Sequence, residues 1–269
     1  LQRDMTPRPD CGETRYHGSG RLAGRRALVT GGDSGIGRAV AIACAREGAD
    51  VAINHLPEEE TDAAEVLDLI RREGRKALAI PGDLRAGDGD FCRTLVARTE
   101  RELGGLDLLV SNAGYGWCLP DILEHPDATF DRTIKTNLYV PFWLSKAAIA
   151  VMKPGSAIVF TNSVTAFLPS DAFLDYSATK AALVAFTVAL GKQVAGRGIR
   201  VNGVAPGAIW TPMQVCFGAP DNNVENLNAI TPVGRMGQPV EMAPLYVTLA
   251  EGAGSFVTGS TWSANGGRV

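Results

Sequence analysis

The sequence predicts an α/β fold: one domain built on a doubly wound sheet of about seven parallel strands, flanked by helices. Three observations carry this. Short, continuous apolar runs alternate with helical runs along nearly the whole chain. A glycine-rich turn joins the first apolar run to the first helix. Several of the apolar runs end in small or polar residues, where folds of this class place their ligands.

Residues 1–20 are polar and broken by Pro7, Pro9, Gly12, Gly18 and Gly20. They read as an arm, either mobile, disordered or laid over a neighbouring subunit. Residues 21–269 form the domain. Ala27–Thr30 is the first strand, and it runs into Gly31-Gly-Asp33-Ser34-Gly35-Ile36-Gly37 and a helix from Arg38 to Glu47. Gly48 ends that helix as a C-terminal glycine should. Strand, glycine turn and helix together make a phosphate cradle. Glycines let the backbone approach a pyrophosphate, and the helix start presents free N–H groups. Gly31, Asp33, Ser34, Gly35, Ile36 and Gly37 are therefore candidate cofactor contacts, although the spacing is not the common G-x-G-x-x-G.

Asp50–Asn54 is the second strand. An acid near its end would hold the adenine ribose hydroxyls and select NAD. His55 stands there instead, followed by Leu56. NADP(H) is therefore favoured over NAD(H), with Asn54 or His55 as the contact to the 2′-phosphate. An amphipathic helix covers 57–73, and Lys76–Ile80 is a strand ending at Gly82-Asp83-Leu84. A helix over Phe91–Leu103 precedes the strand Leu106–Val110, which ends in Asn112-Ala113-Gly114. Asp127–Met152 reads as helix, with Asn137 near its middle. Ser156–Phe160 is the fifth strand, and Ser163 lies just past it. A helix over Tyr176–Ala195 leads to the strand Ile199–Ala205 and then Pro206-Gly207. Residues 208–233, with Pro212, Gly218, Pro220 and Pro232, read as a lid over the site. A helix over Pro239–Leu249 and a strand near Phe256–Thr261 complete the sheet.

Bulk properties exclude several classes. The net charge is −3 and no basic stripe appears, which argues against a nucleic-acid surface. Five cysteines and three histidines are scattered without paired spacing. That pattern predicts reduced thiols of a cytoplasmic protein and no metal site. No apolar run reads as long enough to span a bilayer, and the opening Leu1-Gln-Arg-Asp-Met5 has no secretory h-region.

The chemistry centres on Tyr176 and Lys180, four residues apart and so on one face of a helix. An ammonium beside a phenol favours the phenolate, so the Tyr176 pKa is expected to fall. Such a Tyr can exchange a proton with a substrate oxygen. Tyr and Lys at this spacing also occur for packing alone, so the rest of the chain decides. Thr30-Gly-Gly-Asp-Ser-Gly-Ile-Gly37, Asn112-Ala-Gly114, Ser163 with Tyr176-x-x-x-Lys180, and Pro206-Gly207-x-x-x-Thr211 follow in one order. Together they resemble the short-chain dehydrogenase/reductase family over residues 22–267, with a bacterial glucose-dehydrogenase-like branch as the finer likeness.

The resemblance implies a Rossmann-type fold and specific roles. Tyr176 would be the general acid/base, with Lys180 lowering its pKa and holding the nicotinamide ribose. Ser163 would orient the substrate oxygen, and Asn137 would hold a water that relays protons to Lys180. Asp83 and Leu84 would contact the adenine. Asn112, Ala113 and Gly114 would line the cofactor, and Pro206, Gly207, Ile209 and Thr211 its nicotinamide end. Two residues depart from the family pattern: Asn162 stands where Ser is frequent, and Asn265 where Asp is usual. A homotetramer through the helices around Asn137–Met152 and Tyr176–Ala195 is also implied.

Tyr115, Trp117, Cys118, Phe167, Trp210, Met213 and Phe217 lie on loops beside this site and suggest an apolar or aromatic substrate pocket, although core packing or lid stiffening explains some of them equally well. The expected function is an NADP(H)-dependent ketoreductase that interconverts a carbonyl and a secondary alcohol. The alternatives are an isomerase, dehydratase or rearrangement enzyme on the same fold, or a non-catalytic NADP sensor.

Overall fold

The computed structural model describes residues 1–218 and 224–268. Its sheet has seven strands: β1 (Arg26–Thr30), β2 (Asp50–His55), β3 (Ala77–Pro81), β4 (Leu108–Ser111), β5 (Ala157–Thr161), β6 (Arg200–Pro206) and β7 (Thr261–Ala264). Every pairing is parallel and the order is 3-2-1-4-5-6-7. The order reverses direction between β1 and β4, which opens a crevice above their C-terminal ends.

The main helices are α1 (Gly35–Arg46), α2 (Glu60–Arg72), α3 (Asp90–Leu103), α4 (Asp127–Ile134), α5 (Val140–Val151), α6 (Leu174–Val194), α7 (Pro212–Cys216), α8 (Val224–Ala229) and α9 (Pro239–Ala250). Two apolar cores result, one on each face. Ala27 and Val29 enter the core shared with α1, α2 and α9, while Leu28 enters the one shared with α3, α5 and α6. Strand side chains alternate faces, so a strand buried on both sides reads as an unbroken apolar run.

The fold departs from the sequence reading at its last strand, its lid, one long helix and its N-terminal arm. The last strand begins at Thr261, and Phe256 is fully exposed. Gly259, with φ +73°, turns the chain before pairing with β6 starts. The irregular lid carries two short helices, α7 and α8; its residues 219–223 lie outside the described residues. Residues Asp171–Arg197 do reach the length and mean hydropathy, 1.3, of a membrane-crossing helix. In the fold this stretch is mostly α6, whose Leu183, Leu190 and Val194 pack on the sheet.

Residues 1–20, expected to be mobile or laid on a neighbour, lie on their own domain. Gln2 and Cys11 are buried, and Arg46 donates to the carbonyls of Gly12, Glu13 and Tyr16. These carbonyls are backbone acceptors, which is why a polar, glycine-broken sequence can still be ordered.

Candidate active site

A cleft of about 660 Å³ lies over the C-terminal ends of the strands. It runs from Asn54–Leu56, past Gly31 and Gly35, to Tyr176 and the α7–α8 segment. Gly31 and Gly35 have φ of +59° and +51°, a backbone that favours glycine. A Cβ on Gly31 would stand 3.3 Å from Ala113 Cα, so the turn and the Asn112–Gly114 segment approach closely. Asp33, Ser34 and Ile36 border the cleft beside them. Gly37 does not. A Cβ there would lie 1.9 Å from the Gly31 carbonyl oxygen, so its lack of a side chain serves helix–turn packing.

Asn112 ties three strand ends together. Its Nδ2 donates to the Thr30 carbonyl at 3.1 Å, and its Oδ1 accepts from Thr161 Oγ1 at 3.0 Å. Thr161 Oγ1 also meets the Tyr246 hydroxyl at 2.8 Å, which anchors α9 beneath the cleft. Nothing in the sequence marked Thr161 or Tyr246. Their role comes from a contact between residues 85 positions apart.

Ser163, Tyr176 and Lys180 converge at the cleft floor. Ser163 Oγ accepts from the Thr165 N–H at 3.1 Å and from Thr165 Oγ1 at 2.9 Å. With both lone pairs engaged, its own O–H is left to donate toward the Tyr176 phenol, where it works against the rise in that group's pKa. Lys180 Nζ donates to the Thr161 carbonyl at 2.8 Å and sits 5.4 Å from the Tyr176 ring centroid. The expected fall in the Tyr176 pKa is not what the structure shows. Burial pushes the phenol up to about 12, opposed by the bond from Ser163. Burial also pulls Lys180 down to about 8. Desolvation outweighs the neighbouring charge because the ammonium is turned toward Thr161.

Asn137 lies in a π-helical turn, Lys135–Tyr139, between α4 and α5. Such turns recur at functional sites. Its Oδ1 accepts from the Tyr115 N–H at 2.9 Å, and its Nδ2 donates to the Tyr115 carbonyl at 2.8 Å and to Thr179 Oγ1 at 3.1 Å. Both amide protons are therefore spent on protein. A second rung lies one turn earlier: Thr133 Oγ1 donates to Asp175 Oδ2 at 2.5 Å, and Asp175 Oδ1 accepts from the Tyr176 N–H at 2.7 Å. Asp175 and Thr133 were not singled out from the sequence.

At the other end of the cleft, Asn54 and His55 border it, but their side chains are turned toward protein. The His55 side chain is fully enclosed, with Nδ1 2.8 Å from the Leu56 carbonyl oxygen. Asn54 Nδ2 donates to the carbonyls of Ile80 and Gly82, both at 3.0 Å. β2 continues through His55 and pairs it with Pro81, so the chain is still in the sheet at both positions. Asp33 is the buried acid here. Burial, then the charge of Glu59, push it up to about 7. Asp83 and Leu84 border the cleft as expected, and Asp83 is held by an ion pair with Arg85.

Pro206, Gly207, Ile209 and Thr211 line the opposite wall. Of the expected pocket residues, Tyr115, Trp117, Met213 and Phe217 reach the cleft, while Cys118, Phe167 and Trp210 do not. Trp210 donates its indole N–H to the Pro7 carbonyl instead. Phe173, Phe217 and Tyr176 form a three-ring cluster with centroids 4.9, 5.5 and 6.4 Å apart.

A nicotinamide dinucleotide fits this cleft on the residues present. The glycine turn leaves a bare backbone at the start of α1, where anions bind. Gly114 brings the cleft wall up to Lys180, with the position of a Cβ there 3.7 Å from Nζ. Fold and site therefore define a dinucleotide-binding oxidoreductase. Comparison with known proteins gives the family. Residues 31–268 match the family model described as enoyl-(acyl carrier protein) reductase. The chain is 52% identical over 270 residues to the uncharacterized oxidoreductase YhxD of Bacillus subtilis, covering 99% of this chain and 90% of that one. It is 40% identical over 271 residues to NADPH-dependent aldehyde reductase 1 of Arabidopsis thaliana, covering 98% and 93%. A short-chain dehydrogenase of Burkholderia cenocepacia, solved in complex with NADP, superposes with a TM-score of 0.85 at 34% identity, covering 92% and 99%. The chain belongs to the short-chain dehydrogenase/reductase family.

Proposed function

We propose that the protein is an NADP(H)-dependent ketoreductase that interconverts a carbonyl and a secondary alcohol on an apolar or aromatic small molecule. One observation carries the reading: Ser163, Tyr176 and Lys180 line one stretch of the dinucleotide cleft, with Lys180 Nζ 5.4 Å from the Tyr176 ring centroid. The bound nicotinamide supplies or takes up the hydride. Ser163 gives its proton to the Tyr176 oxygen as a hydrogen bond, which leaves the phenol O–H for the substrate oxygen. Burial keeps that phenol protonated at neutral pH, the state a reductase needs in its acid. Lys180, close to the ring, offsets the negative charge left when the proton departs. Positioned acid catalysis of this kind contributes about 10²–10⁴-fold. Asn137 holds the Tyr115 backbone, and with it the cofactor wall that continues into Gly114.

The NADP preference is supported by the NADPH-dependent relative and by the NADP-bound neighbour. The aromatic cluster of Phe173 and Phe217 around Tyr176 supports an apolar substrate. Exposed Tyr139 and Phe142 beside α5 support a homo-oligomer, and five free thiols support a cytoplasmic setting. The test is Tyr176→Phe assayed with NADPH against a panel of carbonyl compounds, following absorbance at about 340 nm. Turnover should be largely lost while NADPH binding persists. Near-normal turnover overturns the reading.

A further inference from the structure

The N-terminal arm reaches the edge of the cleft at two points. At the first, Gln2 is fully buried and its Oε1 accepts from the Gly35 N–H at 2.6 Å. The Gln2 backbone N–H donates to Asp62 Oδ2 on α2 at 2.7 Å, and Gln2 Nε2 donates to Cys11 Sγ at 3.3 Å. Cys11 Sγ in turn lies 3.5 Å from the Gly35 carbonyl. At the second, the Pro7 carbonyl accepts from Trp210 Nε1 at 2.7 Å, next to Thr211 on the cleft wall. The two points adjoin. A Cβ on Gly35 would stand 3.0 Å from Thr211 Cγ2.

Gly35 opens α1, so its N–H has no partner within the helix. Ser34 occupies the N-cap position, yet its side chain makes no capping bond. The acceptor comes from 33 residues earlier in the chain. Anchoring the arm does not require it, because Arg46 holds the carbonyls of Gly12, Glu13 and Tyr16, and the buried Arg38 pairs with Glu13. The Gln2 amide is thus spent on the glycine turn itself.

We infer that Gln2 is a positioning residue for the dinucleotide cradle: its side-chain oxygen caps Gly35 and holds the glycine turn in the shape that receives the pyrophosphate. This rests on the cleft being a dinucleotide site. A turn fixed before binding loses less freedom when the ligand arrives.

The test uses Gln2→Met in the full chain, which keeps the length of the side chain and removes the acceptor. NADPH affinity is read by fluorescence titration, and amide exchange at the glycine turn by mass spectrometry. The Kd should rise about fivefold to tenfold, the worth of one hydrogen bond, and exchange at the turn should quicken. KM for NADPH should rise with it while kcat holds. Tyr16→Phe is the control. It removes the hydroxyl bond to Glu47 and loosens the arm away from the turn, so it should lower the melting temperature and leave Kd unchanged. If Gln2→Met does not fold, Asp62→Asn loosens Gln2 from α2 and should raise Kd by a smaller factor. An unchanged or tighter Kd in the variant that folds overturns the inference. A wild-type protein that binds neither NADPH nor NADH overturns the dinucleotide reading instead.

Discussion

Lys180 Nζ donates a 2.8 Å hydrogen bond to the Thr161 carbonyl oxygen, so the ammonium is tied to the end of β5 rather than to the Tyr176 oxygen. Burial brings Lys180 down to about 8. Below that pH the group is charged and supports the phenolate left after proton transfer; above it the support is lost. For carbonyl reduction, kcat/KM should therefore be level through neutral pH and fall above about 8. Lys180→Arg keeps its charge throughout this range, so its profile should lack that fall, whatever its absolute rate. Steady-state kinetics over the pH series decides. A fall near the same pH that survives in Lys180→Arg assigns it to another group.

The two rungs between α4, the π turn and α6 have the same spacing. Thr133 bonds Asp175, and Asn137 bonds Thr179, both across 42 positions. Tyr176 and Lys180 each follow a rung by one residue, so the rungs set the rotation of α6 and aim both side chains. Asp175→Ala removes the acceptor of the buried Tyr176 N–H and breaks the rung to Thr133, whose hydroxyl keeps only the Thr129 carbonyl. Stability should drop by about 1–3 kcal/mol in urea unfolding, with a lower kcat and an unchanged KM for NADPH. A normal kcat with the stability loss would make the rung purely structural.

Asp33 stands at the cleft edge with its carboxyl pushed from 3.8 to about 7 by burial and then by Glu59. Between those pH values the folded protein keeps a proton that the unfolded chain has released. Stability therefore falls as pH rises across that window. Asp33→Asn removes the effect. Its melting temperature should match wild type near pH 4 and exceed it increasingly up to pH 7, by calorimetry at several pH values. A difference that does not change with pH would contradict the buried-acid account. His55→Asp, by contrast, puts a carboxylate inside the sheet near Glu60 and should cost stability rather than switch cofactor.

The parts of this molecule legible in the sequence are those fixed by local pattern. Strands β1, β4 and β5 announce themselves because both faces are buried and their middles are apolar, while β3 at the sheet edge is only half-buried and β6 carries Arg200 and Asn202 within it. The glycine turn, Ser163, Tyr176 and Lys180 sit at strand and helix ends where their neighbours in sequence identify them. The misreadings are questions of where a strand stops. Phe256-Val-Thr258 has strand-like residues, but Gly259 turns the chain before the sheet is reached. The sequence pattern ends the second strand at Asn54, but the ladder to β3 runs one residue further and pairs His55 with Pro81. Asp175, Thr133 and Gln2 left no signal. Each acts through a partner at least 33 positions away, and such pairings exist only once the helices pack. The Tyr176 pKa was misjudged for a related reason: spacing gives proximity to Lys180 but not the burial that outweighs it.

Gly116 is the tightest point between the lid and the catalytic Tyr. A Cβ there would stand 2.8 Å from Phe217 Cε1 and 2.9 Å from Tyr176 Cδ2. The Gly116 backbone is not in the left-handed region, so Ala is not strained by its own torsions. Any cost of Gly116→Ala must come from moving one of the two rings. Tyr176 lies on α6, and Phe217 directly follows α7 on the lid segment. If Phe217 yields, activity survives and the substrate pocket changes shape. If Tyr176 yields, a displacement on the order of 1 Å should cost about 10²-fold in kcat. The second outcome is expected, because Phe173 packs on Phe217 at 4.9 Å and blocks its retreat. Gly116→Ala combined with Phe217→Ala should then recover most of the lost kcat, and Phe217→Ala alone should raise kcat/KM for bulky aryl ketones relative to small ones. Failure of the double variant to recover would place the clash on Tyr176 alone and remove Phe217 from the control of substrate size.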